Sequence, residues 1–128
     1  MISKVGQIML YVNDQDKAVR FWTENMEFQK LAEENNGKMR WIEIAPAAGS
    51  ETSIILHDKD TVAKMSPGLN LDTPSLMFFT EDLDQLYKDL SVRQVTVGEI
   101  VALPTGRVFN FADDEGNYFA VMENTSGE

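Results

Sequence analysis

Cysteine is absent from this chain, and histidine occurs once, as His57. Without thiols there can be no disulfide scaffold, no thiolate zinc site and no cysteine nucleophile, and the expected setting is cytoplasmic. A single imidazole rules out a histidine pair or triad. No apolar run approaches the roughly 18 residues that a membrane span requires. The opening stretch MISKVGQIML lacks the long apolar core of a secretory signal and reads as a strand, so no membrane partner is expected. Cations are also scarce: 11 basic residues stand against 21 acidic ones, a formal charge of −10. A protein that grips phosphate backbones needs clustered Lys and Arg, so no nucleic-acid partner is expected and the acidity reads as solubility. No Gly-rich phosphate loop, nucleophile elbow or paired-carboxylate motif is found.

What remains is a chain of 128 residues, of ordinary globular composition, long enough to bury a core without covalent staples and to form one domain spanning 1–128. Its strongest internal signal is a repeat. Ile8-Met9-Leu10-Tyr11-Val12-Asn13-Asp14-Gln15-Asp16 lies over Leu76-Met77-Phe78-Phe79-Thr80-Glu81-Asp82-Leu83-Asp84 at a constant offset of 68 residues. In each copy an apolar strand runs into carboxylates suited to a helix N-terminus, where free N–H groups and the positive dipole end favour them. Helical periodicity follows in both copies, through Ala18, Val19, Phe21, Trp22 and Met26 in the first and Leu83, Leu86, Tyr87 and Leu90 in the second.

Three strands are expected after each helix: 28–33, 39–45 and 52–57, then 95–102, 107–111 and 118–123, separated by Gly-, Pro- and Asn-rich turns. The first module covers about 1–60, residues 58–74 form a linker, and the second covers about 75–125. The expected class is therefore α+β, two βαβββ modules forming an eight-stranded open, barrel-like sheet around a cleft, helices outside. Strand alternation sends Ile8, Leu10 and Val12 towards the helix and Gln7, Met9 and Tyr11 to the cleft. It likewise sends Leu76 and Phe78 to the helix and Ser75, Met77 and Phe79 inward.

Two segments add a family resemblance covering nearly the whole chain. Ala18-Val19-Arg20-Phe21-Trp22-Thr23-Glu24-Asn25-Met26-Glu27-Phe28 resembles the "Phe-Tyr, three residues, Leu-Gly-Phe" segment of the glyoxalase, bleomycin-resistance and extradiol-dioxygenase (vicinal oxygen chelate) superfamily, with Glu27 in place of Gly. Pro104-Thr105-Gly106-Arg107 and Phe111-Ala112-Asp113-Asp114-Glu115-Gly116-Asn117 resemble its "Pro-x-Gly … Phe-x-Asp-Pro-Asp-Gly-Asn" segment, with Asp114 in place of Pro. Metal-dependent members present His and Glu from four inward strand positions. Carried over one at a time, these are Gln7, Ile55, Ser75 and Ala120, and a two-residue slip at the fourth strand would substitute His57 for Ile55. Neither set replaces a divalent ion's water shell, so no metal or other cofactor is expected and glyoxalase or dioxygenase chemistry is disfavoured.

A cleft stripped of ligands should be apolar and aromatic with a few polar groups. Trp41, Met77, Phe79, Tyr118 and Met122 are the candidate walls, and Gln7, Glu43, His57 and Ser75 the candidate polar contacts. Glu43 shares a strand face with Trp41; it is either a general base, the binding partner of a cationic ligand, or an exposed or Arg-paired carboxylate, with Arg107 a candidate partner. Asp113, Asp114 and Glu115 lack EF-hand spacing and read as solvated acid in a turn. Three readings follow. The first is a metal-independent small-molecule binding protein, sequestering an aromatic or cationic compound and completed as a homodimer, as is usual in the family it resembles. The second is a lyase- or dioxygenase-like enzyme with an atypical site at Glu43 or His57. The third is a dimeric interaction module whose cleft is filled by its own side chains.

Overall fold

The computed structural model describes residues 1–124. Its architecture is α+β, with two four-stranded sheets, one in each of two compact units that divide between Pro74 and Ser75. The first unit runs β1 (Gln7–Val12), α1 (Gln15–Arg20) continuing into a π-helical turn (Phe21–Asn25), β2 (Gln29–Asn35), β3 (Arg40–Ala45) and β4 (Ser53–Asp58), and then α2 (Lys59–Met65). The second runs β5 (Met77–Thr80), α3 (Leu83–Val92), β6 (Val101–Leu103), β7 (Gly106–Ala112) and β8 (Tyr118–Glu123). The sheets are ordered β1-β4-β3-β2 and β5-β8-β7-β6. In both, the first strand pairs parallel with the last while the remaining pairs are antiparallel. The two sheet topologies are the same, strand for strand.

The repeat extends to details that identity in sequence hides. Asp14 and Asp82 each cap their helix by accepting from the backbone N–H three residues on, Lys17 at 3.0 Å and Gln85 at 3.1 Å. Gln94 closes α3 in the left-handed region (φ 64), with Gln94 N–H donating to Ser91 and Val95 N–H to Leu90. That pattern is a Schellman cap in which Gln occupies the position glycine favours. Glu27 closes the first helical segment in the same left-handed region (φ 61), with Phe28 N–H donating to the Trp22 carbonyl, at the place where the resembling family carries Gly. Caps are 68 residues apart but closures are 67 apart, and the first copy absorbs its extra residue in the π turn, where Met26 N–H reaches back to Phe21.

Arginines clamp each helix to its own sheet. Arg40 pairs with Asp16 in the first turn of α1 (2.9 Å) and with Glu33 on β2 (2.8 Å). Arg107 pairs with Asp84 in the first turn of α3 and with Glu123 on β8, both at 3.0 Å. A buried Gln15 adds to the first clamp by donating to the carbonyls of Arg40 and Leu56. Beneath these, Leu10, Val12, Trp22, Ile42, Ile44 and Leu56 form the first core, and Leu83, Leu90, Phe109, Phe111 and Val121 belong to the second. Fully burying such side chains contributes about 1.5–3 kcal/mol each for the aliphatic ones.

Three expectations need correction. The segment 58–74 is not a plain linker, because Asp58 accepts from Thr61 N–H and Oγ1 and starts α2. The strand expected over 95–102 is broken: Val97 bridges Phe111 in isolation and only Val101–Leu103 is regular. Next to that bridge, Gly98 N–H donates to the Asn110 carbonyl on β7 while the Gly98 carbonyl accepts from the Tyr87 hydroxyl on α3 at 2.9 Å. Asp113, finally, is buried rather than solvated, its Oδ1 accepting from the N–H groups of Glu115 and Asn117 and so holding the turn before β8.

Candidate functional site

In the first unit, Leu10, Val12, Ile42, Ile44 and Leu56 are buried on the face packed by α1, which leaves the alternate residues on the opposite face. Strand register arranges those residues in rows. Gln7 is opposite Ser53; Met9 is opposite Ile55, which is opposite Glu43; Tyr11 is opposite His57, which is opposite Trp41. A hollow of about 290 Å³ opens on this face, lined by Gln7, Met9, Trp41, Ile55 and His57. Gln7, Trp41 and His57 are thus brought together as the alternation suggested. Met9, Ile55 and Tyr11 complete the surface, and the same period-two pattern could have added them to the candidates.

His57 stacks on Tyr11, ring centroids 5.9 Å apart and planes 21° from parallel. Its Nδ1 is buried and makes no hydrogen bond among the described residues. Burial holds the imidazole below its ordinary pKa of 6.5, so the ring is neutral at neutral pH. Glu43 has a different partner from the one expected. Its carboxylate accepts from the buried Ser53 hydroxyl at 2.6 Å, while Arg107 is committed to Asp84 and Glu123. A hydroxyl one row away satisfies the carboxylate locally, so no distant cation is called for.

In the second unit the corresponding face carries Ser75, Met77 and Phe79 beside Tyr118, Ala120 and Met122 on β8 and Val108 and Asn110 on β7. A hollow of about 290 Å³ lies over Ser75, Met77, Asn110, Tyr118 and Ala120. Phe79 and Met122 face each other one row along; Met122 is buried, whereas Phe79 is 65% exposed and Tyr118 61% exposed. Nine candidate residues therefore divide between two surfaces, Gln7, Trp41, Glu43 and His57 on one and Ser75, Met77, Phe79, Tyr118 and Met122 on the other. Asn110, an exposed amide opposite Ala120, was not among the candidates, although the alternation of Val108 and Asn110 against Phe109 and Phe111 within β7 marks its face.

The donor set does not suit a metal ion of the family's kind. Gln7 and Ile55 share the first hollow, and Ser75 and Ala120 share the second, but Ile55 and Ala120 have no donor atom and the other two offer only neutral oxygen. Among the described residues no three of His, Cys, Asp and Glu are grouped so as to hold an ion.

Repeated βαβββ topology, the Pro-x-Gly and Glu-Gly-Asn turns, and matched open faces define a class that comparison with known proteins identifies. The chain belongs to the Glyoxalase/Bleomycin resistance protein/Dioxygenase superfamily, whose family model matches residues 4–121. Among its relatives it is 33% identical to the uncharacterized protein YetH of Bacillus subtilis (strain 168), over 96% of this chain and 100% of that one. Among solved structures it is similar to TnmS3, an antibiotic binding protein from Streptomyces sp. CB03234, with TM-score 0.82 and 30% identity over 97% of this chain and 98% of that one. A superfamily member from Sphaerobacter thermophilus DSM 20745 has TM-score 0.81 and 26% identity, covering 96% and 98% respectively. No helix of the described residues is long and apolar enough to cross a membrane.

Proposed function

We propose that this chain is a metal-independent small-molecule binding protein that sequesters a flat aromatic or cationic compound against the row Tyr11–His57–Trp41. The observation that carries the reading is this row of three π-systems, of which Trp41 and His57 line a hollow together with Met9, Ile55 and Gln7. Apolar walls with one or two polar groups are what a small organic guest needs, and aromatic faces attract both planar rings and cations. Likeness to an antibiotic binding protein supports the same reading. Under it, residues 1–128 act as one cytoplasmic domain, assembled as a homodimer, without nucleic-acid partner. The rival reading, an enzyme using Glu43 or His57, is weakened by the Ser53 hydroxyl that already occupies the Glu43 carboxylate.

A thermal-shift panel tests the proposal, with 1-indanone as planar aromatic, tetramethylammonium as cation and cyclohexanol as aliphatic control. At about 100 times its dissociation constant a bound guest adds about 2.7 kcal/mol of stability. The expected outcome is a rise in midpoint with 1-indanone or tetramethylammonium, none with cyclohexanol, and loss of the response in Trp41→Ala. Equal silence from all three compounds, or stoichiometric transition metal in the purified protein, would refute it.

A further inference from the structure

The His57 ring presents its two nitrogens to different surroundings. Nδ1 is sealed from solvent and meets no acceptor or donor among the described residues, and the one carboxylate adjacent in sequence, Asp58, spends an oxygen on Thr61. Nε2 is not among the buried unpartnered atoms, and the residue lines the hollow. A proton on Nδ1 would be a buried N–H with nothing to receive it, a group that folded proteins rarely leave orphaned, whereas a bare lone pair there is tolerated more often. The tautomer is therefore settled by the sealed side of the ring: the proton sits on Nε2, on the side that a guest can reach. Stacking on Tyr11 fixes the plane in which that N–H lies.

From this we infer that His57 is a specificity-determining neutral donor, and that the guest of the first hollow is a flat aromatic carrying a hydrogen-bond acceptor in its ring plane, an aryl ketone or quinone oxygen. The inference rests on the proposed function and sharpens it. A phenol offers this N–H a weaker acceptor than a carbonyl does, and a bare hydrocarbon leaves it unpaired. A site with a directed donor discriminates against the analogue that lacks the matching group, because a polar atom is then desolvated without compensation.

Two measurements on the full chain test it. His57 is the only histidine, so its imidazole signals in a ¹⁵N-labelled sample are assigned without ambiguity. Long-range ¹H–¹⁵N spectra at pH 7.5 are expected to show a neutral ring protonated on Nε2, and the Nε2 signal is expected to move when 1-indanone is added. In binding titrations, 1-indanone should bind about fivefold tighter than indane, which has the same rings without the carbonyl, and His57→Phe should reduce that ratio to about one. A ring protonated on Nδ1, or equal affinity for the two compounds in the parent protein, overturns the inference while leaving the binding function standing. Failure of both compounds to bind overturns the inference, and silence from tetramethylammonium as well overturns the binding function with it. Should His57→Phe not fold, the tautomer and the 1-indanone-to-indane ratio of the parent protein still decide.

Discussion

At the scale of single residues, His57 and the clamped carboxylates set how stability follows pH. Burial lowers the His57 pKa, so as pH falls the unfolded chain takes up this proton before the folded one does. Its contribution is complete above about 6.5, the ordinary value, and is lost as pH drops through the lower folded value. Hydrogen bonds from Arg107 hold Asp84 and Glu123 below their usual values, and Lys30 followed by Arg40 does the same for Glu33. Those contributions are present above the ordinary carboxylate range and disappear in acid. All three carboxylates stay in contact with solvent, so each contribution is small. The thermal midpoint should therefore be flat from pH 7 to 8, decline gently below about 6.5 and more steeply below about 4.5. In His57→Phe the upper decline should vanish while the acid one remains, and a calorimetric pH series on both proteins checks this.

At the scale of elements, the two helix closures are the clearest compromise between sequence and backbone. Gln94 and Glu27 occupy left-handed conformations that cost an L-residue about 1–2 kcal/mol. Replacement by glycine removes that strain and returns part of the gain as unfolded-state entropy. Gln94→Gly is expected to stabilise the protein by about 0.5–1 kcal/mol, read as a higher urea midpoint with an unchanged slope. The Glu27 position was visible in the sequence through its family motif; that of Gln94 was not, since no motif marks it and its offset from Glu27 is shifted by the π turn. Period and turn chemistry made both helices and most strands legible, and β8 begins and ends where alternation placed it. Strand β6 and helix α2 escaped the same patterns: Gly98, ahead of β6, is bonded over long range to Asn110 and Tyr87, and a local cap from Asp58 starts α2.

At the scale of the whole molecule, the faces assigned by alternation on β1 and β5 agree with their burial, and Gln7, Trp41, His57, Ser75, Met77 and Tyr118 line hollows whereas Glu43, Phe79 and Met122 do not. What alternation could not supply was partnership. Arg107 and Glu43 are both conspicuous charges in the sequence, yet each is satisfied by neighbours brought close by register rather than by the other. The second unit's open face, with Met77, Phe79 and Tyr118 exposed, is apolar enough that the homodimer of the proposed function has an obvious place to form. Phe79→Lys is expected to shift sedimentation towards the monomer without lowering the helical signal in circular dichroism. A sedimentation profile identical to the parent's would remove this face from consideration.

The matched guanidinium clamps on the helix side have an evolutionary corollary. Because Arg40 and Arg107 fasten each helix through atoms that lie behind the sheet, the wall in front can change chemistry without loosening its support. Such a scaffold lets selection swap one guest for another by a handful of exchanges on the exposed strands, and lets the two halves drift apart in taste while keeping a common skeleton.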